Sequence, residues 1–185
     1  MALSIEHGFV HYRAMGDLYR GGALAELGQA REGLALCDQA LADLGSGGAN
    51  VSTLILGLQA EVHHKSGQPE EALRLLAEAI NRAQRTGECY FEVELHRLKG
   101  EALLSLSETD LAGAESCFRH GIAVAREQNA KLWELRAATS LARLWRDQGK
   151  RHEAYDLLAP VYGWFTEGLD TADLNTAKAL LEELA

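Results

Sequence analysis

Apolar residues recur along most of the chain at the three- and four-residue spacing of an α-helix. The stretch GQPEEALRLLAEAI (67–80) shows the pattern: a glycine that can end one helix, Pro69 at a first helical position, two glutamates facing the positive helix end, and then an apolar stripe. The pattern predicts nine helices, at 4–27, 29–44, 51–66, 69–86, 89–107, 110–128, 131–148, 151–167 and 172–184.

Alternate helices share a repeated sequence, in which a small residue is followed by apolar residues at helical spacing. The four copies are GQAREGLALCDQAL (28–41), GQPEEALRLLAEAI (67–80), TDLAGAESCFRHGI (109–122) and GKRHEAYDLLAPVY (149–162). Their small residues are Gly33, Ala72, Ala114 and Ala154, separated by 39, 42 and 40 residues. Such regular intervals indicate a repeat array.

A second small residue lies upstream of each marker, on the preceding helix. These residues are Gly21, Ala60, Gly100 and Ala142. Small residues on both helices let two backbones cross closely, so each repeat is expected to be a helical hairpin. We expect an all-α fold, an α-α superhelix (solenoid) of four hairpins closed by a capping helix.

The array is expected to form a single domain over 1–185, because the chain is too short for two domains of average size. Pro160 is expected to kink the eighth helix, and GSGG (45–48) to act as a flexible joint between the first two repeats. The repeats are expected at about 4–44, 51–86, 89–128 and 131–167, with the capping helix at 172–184.

The paired small residues inside tandem hairpins resemble the tetratricopeptide repeat. Ala60 and Ala72, with Leu76 and Ala79 behind them, match its markers, whereas the period of about 40 residues exceeds the usual 34. The end of the chain, LWELRAATSLARLWRDQGKRHEAYDLLAPVYGWFTEGLDTADLNTAKALLEELA, resembles the C-terminal segment of bacterial multidomain regulators of the predicted-ATPase or adenylate-cyclase type. This resemblance implies a sensor or scaffold segment of a larger bacterial signalling protein, without the catalytic domains.

The net charge of −9 argues against nucleic-acid binding, because phosphate contacts draw on an excess of Lys and Arg. The segment 131–151 is an exception, with six basic and two acidic residues. Such a run is usually a solvated helix face, and a partner-binding face is the alternative. We expect neither a signal peptide nor a membrane span, and the three scattered cysteines favour a reducing cytoplasm.

No motif for a cofactor or for catalysis is present. The only glycine-rich stretch lacks the lysine of a phosphate-binding loop, and no nucleophile motif frames a serine or cysteine. His7 and His11 have helical spacing but lack a third ligand, so they form an incomplete metal site. We therefore expect no enzyme activity, cofactor or metal. Six late aromatic residues are expected to pack in the core, or in part to line a groove: Trp133, Trp145, Tyr155, Tyr162, Trp164 and Phe165.

The first helix of each hairpin lines the concave side of arrays of this kind. Positions about one turn from the small markers are therefore candidates for contact with a partner, with solvated surface as the alternative. They are Glu61, His64, Lys65, Glu94, Arg97, Glu101, Arg136, Thr139, Arg143 and Arg146.

These observations favour a non-catalytic interaction or scaffold module that binds a protein, a peptide or another part of its own polypeptide. Two alternatives remain open: a domain that senses a small-molecule effector, and a scaffold that forms homo-oligomers through its terminal hairpins. The arginines of the fourth repeat would favour carboxylates, which Arg pairs in a bidentate manner.

Overall fold

The computed structural model describes residues 9–46 and 52–185, which fold into nine α-helices and one short 3₁₀ turn, with no strand in this part of the chain. The 3₁₀ turn is Cys89–Phe91. The helices are α1 (Val10–Glu26), α2 (Ala30–Ser46), α3 (Thr53–Lys65), α4 (Pro69–Thr86), α5 (Glu92–Leu104), α6 (Leu111–Glu127), α7 (Lys131–Asp147), α8 (Arg151–Tyr162) and α9 (Ala172–Leu184).

The helices form two compact units. The first contains α1 to α4, in which α1 packs on α2 and α3 on α4, while α3 also contacts both helices of the first hairpin. The second contains α5 to α9, in which α5 packs on α6 and α7 on α8. Helix α7 also contacts α5 and α6, and α9 lies against α7 and α8. The expected hairpins and capping helix are confirmed.

The small residues lie at the helix crossings, as predicted. Ala60, Ala72, Ala114, Ala142 and Ala154 are all fully buried. The closest crossing is in the first hairpin, where a Cβ added to Gly33 would lie 2.5 Å from the carbonyl oxygen of Gly21. Such close backbone contact leaves no space for a side chain at either Gly21 or Gly33.

The turn within a hairpin uses the glycine that begins the repeated segment. Gly67 has a φ of +75°, which an L side chain rarely adopts, and its N–H donates to the carbonyl of His64 at 3.0 Å. Pro69 is the first residue of α4, where its missing N–H costs no helical hydrogen bond. Gly28 and Gly149 have the same positive φ in their own hairpins. The predicted helix ending at Gly67 is confirmed.

The structure differs from the predicted helix bounds by three or more residues at both ends of α5, which ends at Leu104 rather than at residue 107, and at the end of α8. Cys89–Phe91 forms a 3₁₀ turn before α5, because Gly87 ends α4 in the left-handed region and the chain re-enters a helix through one tight turn. Helix α8 ends at Tyr162, five residues earlier than predicted, because Pro160 cannot donate a backbone hydrogen bond and weakens the last turn.

Two further predictions fall wholly or partly outside the described residues. The predicted start of the first helix, at residues 4–8, lies outside them, as does His7. The predicted joint GSGG is described only at Gly45 and Ser46, and both of these residues belong to α2. The sequence pattern underestimated α2 because Gly and Ser have low intrinsic helix propensity.

Each unit has its own apolar core. In the first, Leu18, Leu44 and Ile55 are almost completely buried. In the second, Phe118 and Leu158 are fully buried at the centre of a cluster that all five helices supply. Four of the six late aromatic residues pack in or against the core, as expected: Trp145 is buried, and Trp133, Tyr162 and Phe165 pack on the core. Tyr155 and Trp164 are exposed.

Candidate functional site

The candidate partner-contacting residues lie on first helices, and seven of the ten belong to the second unit. Helix α3 carries Glu61, His64 and Lys65, where Lys65 Nζ donates to Glu61 at 2.7 Å within one helical turn. The neighbouring His63 is buried, and its Nδ1 lies 2.8 Å from the side-chain oxygen of Gln68. His64 is half-buried. The two adjacent histidines thus differ in environment.

Glu94 and Arg97 on α5 are buried, which the sequence did not predict. Glu94 is 2% exposed and Arg97 is 7% exposed. Arg97 donates from Nε and a terminal nitrogen to the two oxygens of Glu94, at 2.8 and 2.7 Å. This bidentate geometry is the strongest that a guanidinium and a carboxylate form. Neither side chain is available to a partner at the surface in this arrangement, because the two are buried and paired along α5.

Arg136 extends this ion-pair network to other helices. From α7 it lies 3.0 Å from Glu94 on α5 and 3.5 Å from Asp173 on α9. Arg97 also pairs with Glu101, which accepts a hydrogen bond from Ser140 on α7 at 3.0 Å. We call Glu94, Arg97, Glu101, Arg136, Ser140 and Asp173 the α5–α7–α9 network.

Helix α7 also carries a buried carboxylate, Glu134, which the sequence pattern did not predict. Glu134 is 3% exposed and accepts hydrogen bonds from Arg126 at 2.7 Å and Lys131 at 2.8 Å. Burial alone would raise the pKa of Glu134, but the hydrogen bonds from these two cations outweigh it and hold the pKa below its usual value. Its spacing of three residues from Lys131 was the only sequence signal for this pair.

The three remaining candidates on α7 differ in their availability. Thr139 is buried, and its hydroxyl donates to the backbone carbonyl of Leu135 at 2.7 Å, so it serves its own helix. Arg143 is exposed and forms no hydrogen bond or ion pair with any residue in the described parts of the chain. Arg146, half-buried, pairs with Asp147 at 2.9 Å and Glu183 at 2.8 Å.

Arg143 and Arg146 border an open depression of about 280 Å³ between α7 and α9. Thr176, Ala179 and Leu180 of the capping helix line its other side, together with Glu183. The other three cations of α7, which are Lys131, Arg136 and Arg146, are each paired with a carboxylate. This depression is therefore the place on α7 where a partner would meet uncompensated positive charge.

Ligand-type side chains also gather at one place in the second unit. Over residues 9–46 and 52–185, the one set of three or more His, Cys, Asp or Glu side chains close enough to share a metal ion is Glu92, His96 and His120. Helical spacing in the sequence identifies only histidines on the same helix, whereas His96 and His120 lie on different helices of one hairpin. The antiparallel hairpin register was the signal that could have found them.

Comparisons with known proteins support the fold. No protein-family model matches the chain, and no curated protein shows significant sequence similarity to it. Two solved structures of TPR-like repeats, from a Podosopora anserina protein described as a kinesin light chain, are similar to it. Both share 17% identity with the chain and cover 94% of it, with TM-scores of 0.70 and 0.69 over 85% and 86% of their own chains. At this identity the likeness establishes a tetratricopeptide-like repeat fold. None of the described helices is long and apolar enough to cross a membrane.

Proposed function

We propose that the chain is a non-catalytic interaction module that binds a protein or peptide partner, or another part of its own polypeptide. The observation that carries the proposal is Arg143, an exposed cation without a partner among the described residues, at the rim of the depression between α7 and α9. Most other cations on α7 are held by carboxylates. An unpaired guanidinium beside an open depression is suited to bind an anionic group from outside.

The depression favours a carboxylate on an otherwise apolar segment. Arg143 supplies a free guanidinium, while Ala179 and Leu180 offer apolar contact on the facing helix. Arg146 can strengthen the site by exchanging its pair with Glu183 for the carboxylate of the partner. An aspartate, a glutamate or a peptide C-terminus flanked by apolar residues has the matching chemistry.

The biological setting proposed for this module follows the sequence resemblance. We place it as the C-terminal part of a larger bacterial signalling or regulatory protein in the cytoplasm. We also propose that residues 1–185 act as one array. Neither nucleic acid nor a membrane is the proposed partner.

Charge reversal at Arg143 tests the proposal directly. An array of peptides with acidic and amidated C-termini is probed with the wild-type chain, with Arg143→Glu and with the control Arg85→Glu. Arg85 is an exposed arginine on α4, away from the depression. We expect Arg143→Glu to abolish binding to acidic peptides and Arg85→Glu to retain it. Equal peptide binding by all three chains would refute the assignment.

Substitution at Arg143 is also a cleaner test than substitution at Arg136. Arg136 belongs to the α5–α7–α9 network, so its reversal to glutamate would place a third acidic group beside Glu94 and Asp173. Lost binding in that variant could then reflect a disturbed fold. Arg143 has no such internal partner, and its reversal leaves the packing unchanged.

A homo-oligomeric scaffold is the second candidate function, favoured by the aromatic face of α1. Tyr12 is 71% exposed and Tyr19 is 55% exposed, and their spacing of seven residues places them on the same side of the helix. Exposed tyrosines on one face are typical of protein contacts. Light scattering on the wild type and on Tyr12→Ser/Tyr19→Ser tests this. A monomeric wild type would exclude it.

A further inference from the structure

Three metal-ligand side chains converge at one end of the third hairpin. Glu92 and His96 lie one turn apart on α5, and His120 projects from α6. One ligand atom of each of the three lies within 4.8 Å of the other two. The two imidazole rings are 4.2 Å apart between centroids, with planes inclined by 59°. The two helices are close at this point, since a Cβ added to Gly121 would lie 3.8 Å from the Cβ of His96.

None of these three side chains is satisfied by the protein. Within the described residues, Glu92, His96 and His120 form no hydrogen bond or ion pair. This contrasts with the other carboxylates of α5, since Glu94 and Glu101 are both engaged by Arg97. The ligand atoms of this carboxylate and these two imidazoles therefore lie within 4.8 Å of one another and have no hydrogen-bond partner among the described residues.

His96 lies at the edge of the core. Its side chain is half-buried, and its ring faces that of the exposed His120. His120 is exposed, so the site is open to solvent on one side.

We propose that Glu92, His96 and His120 bind a divalent transition-metal ion, with Zn²⁺ as the ion that their donors fit best and water in the remaining position. Two imidazole nitrogens and one carboxylate oxygen are a common protein ligand set for Zn²⁺, whereas Mg²⁺ and Ca²⁺ prefer oxygen ligands alone. The site is independent of the depression between α7 and α9, and it holds whether or not that depression binds a carboxylate.

Binding requires only a small closure of the three side chains. Tetrahedral Zn²⁺ with bonds of about 2.05 Å sets its ligand atoms roughly 3.3 Å apart, against the present upper separation of 4.8 Å. Rotation of the exposed His120 and the half-buried Glu92 can supply the difference of about 1.5 Å. Once formed, the site links the start of α5 to the C-terminal half of α6.

Lys99 is the positive group that opposes the ion. It is close enough to influence His96 and also Cys117, one turn before His120 on α6. Replacing Lys99 with Gln removes the repulsion, so the variant is expected to bind Zn²⁺ more tightly than the wild type. Cys117 is not one of the three proposed ligands, so Cys117→Ser should retain the affinity for Zn²⁺.

Zn²⁺ titration by calorimetry, on the full 185-residue chain freed of metal with a chelator, tests the proposal. We expect one ion per chain, a higher melting temperature with Zn²⁺, and weaker binding in Glu92→Gln, His96→Gln and His120→Gln. Each of these losses should exceed the roughly 10- to 100-fold that removal of a supporting group costs. Co²⁺ in place of Zn²⁺ should give the strong visible absorption of a four-coordinate ion.

Two controls separate this site from adventitious binding by surface histidines. His152→Gln removes an exposed histidine that has the same spacing from a carboxylate, Asp156, but no third ligand. His7→Gln/His11→Gln removes two histidines that are four residues apart near the start of the sequence. Both variants should bind Zn²⁺ as the wild type does. His120 is exposed, so His120→Gln is expected to fold normally.

Three results would overturn the proposal. They are the absence of stoichiometric Zn²⁺ binding at micromolar concentrations, unchanged affinity in a folded His120→Gln variant, and loss of binding in either control. The peptide experiment on Arg143 has a separate readout, so failure of one assignment does not affect the other.

Discussion

The close crossing of the first hairpin makes a prediction that can be worked out for two neighbouring glycines. Gly21 and Gly22 both lie inside α1. A Cβ added to Gly21 would be 2.7 Å from the carbonyl oxygen of Gly33 and 2.6 Å from Cys37 Sγ, whereas one added to Gly22 would meet nothing within 4 Å. Alanine at these two positions therefore has the same effect on helix propensity but opposite consequences for packing.

The magnitudes follow from those distances. Ordinary contact begins near 3.4 Å, so Gly21→Ala must separate the two backbones by about 0.7 Å. Overpacking of this kind costs about 1–3 kcal/mol, and a backbone carbonyl places it near the upper value. Alanine regains about 1 kcal/mol over glycine in a helix. We expect Gly21→Ala to lose about 2 kcal/mol and Gly22→Ala to gain about 0.5–1 kcal/mol.

Urea unfolding followed by far-UV circular dichroism measures both changes in stability. The midpoint should move down for Gly21→Ala and up for Gly22→Ala, with little change in slope. The two variants share helix, residue type and substitution, so their difference isolates the crossing. If Gly21→Ala is as stable as Gly22→Ala, the close approach of α1 and α2 is wrong.

The buried carboxylates of the second unit give two further predictions. Glu94→Gln removes the carboxylate shared by Arg97 and Arg136, which leaves the buried Arg97 with Glu101 alone, and should lower the free energy of unfolding by up to about 3 kcal/mol. By contrast, Glu71→Gln, in an exposed pair, should change urea stability little. Glu134→Gln should cost about 1–3 kcal/mol at neutral pH. The hydrogen bonds from Arg126 and Lys131 lower the folded-state pKa of Glu134, so its contribution is full above pH 4.5 and is lost as pH falls through the folded pKa. Urea titrations over this range should show wild type and variant converging in acid, and a constant difference would contradict the pairing.

The repeat architecture could be predicted from the sequence because the signal is local and recurs. Small residues such as Ala72 and Ala154 mark helix crossings, and the start of α4 at Pro69 and of α9 at Ala172 follow from terminal residues alone. The end of α8 was predicted too late. Pro160 was recognised as a disturbance, but whether a proline bends or ends a helix depends on the packing that follows it.

The candidate site was only partly predictable, since spacing identifies a helix face but not how charges on it are satisfied. Glu94 and Arg97 lie on the expected first helix, yet their three-residue spacing lets them pair and become buried. Arg143 lies on the same kind of face and stays exposed. That these residues, or His96 with His120, bind a ligand remains a prediction.

Arg136 couples the stability of the capping helix to that of the interior helices, because its guanidinium pairs with carboxylates of both α5 and α9. The far end of the capping helix is anchored as well, where Arg146 pairs with Glu183. Repeat proteins commonly lose structure from their ends inward, one hairpin at a time. Here the terminal helix shares its counter-ions with interior helices, so its release disturbs the charge balance as far as α5, four helices earlier in the chain. Amide hydrogen exchange in α9 should consequently report the opening of the whole unit, rather than local fraying.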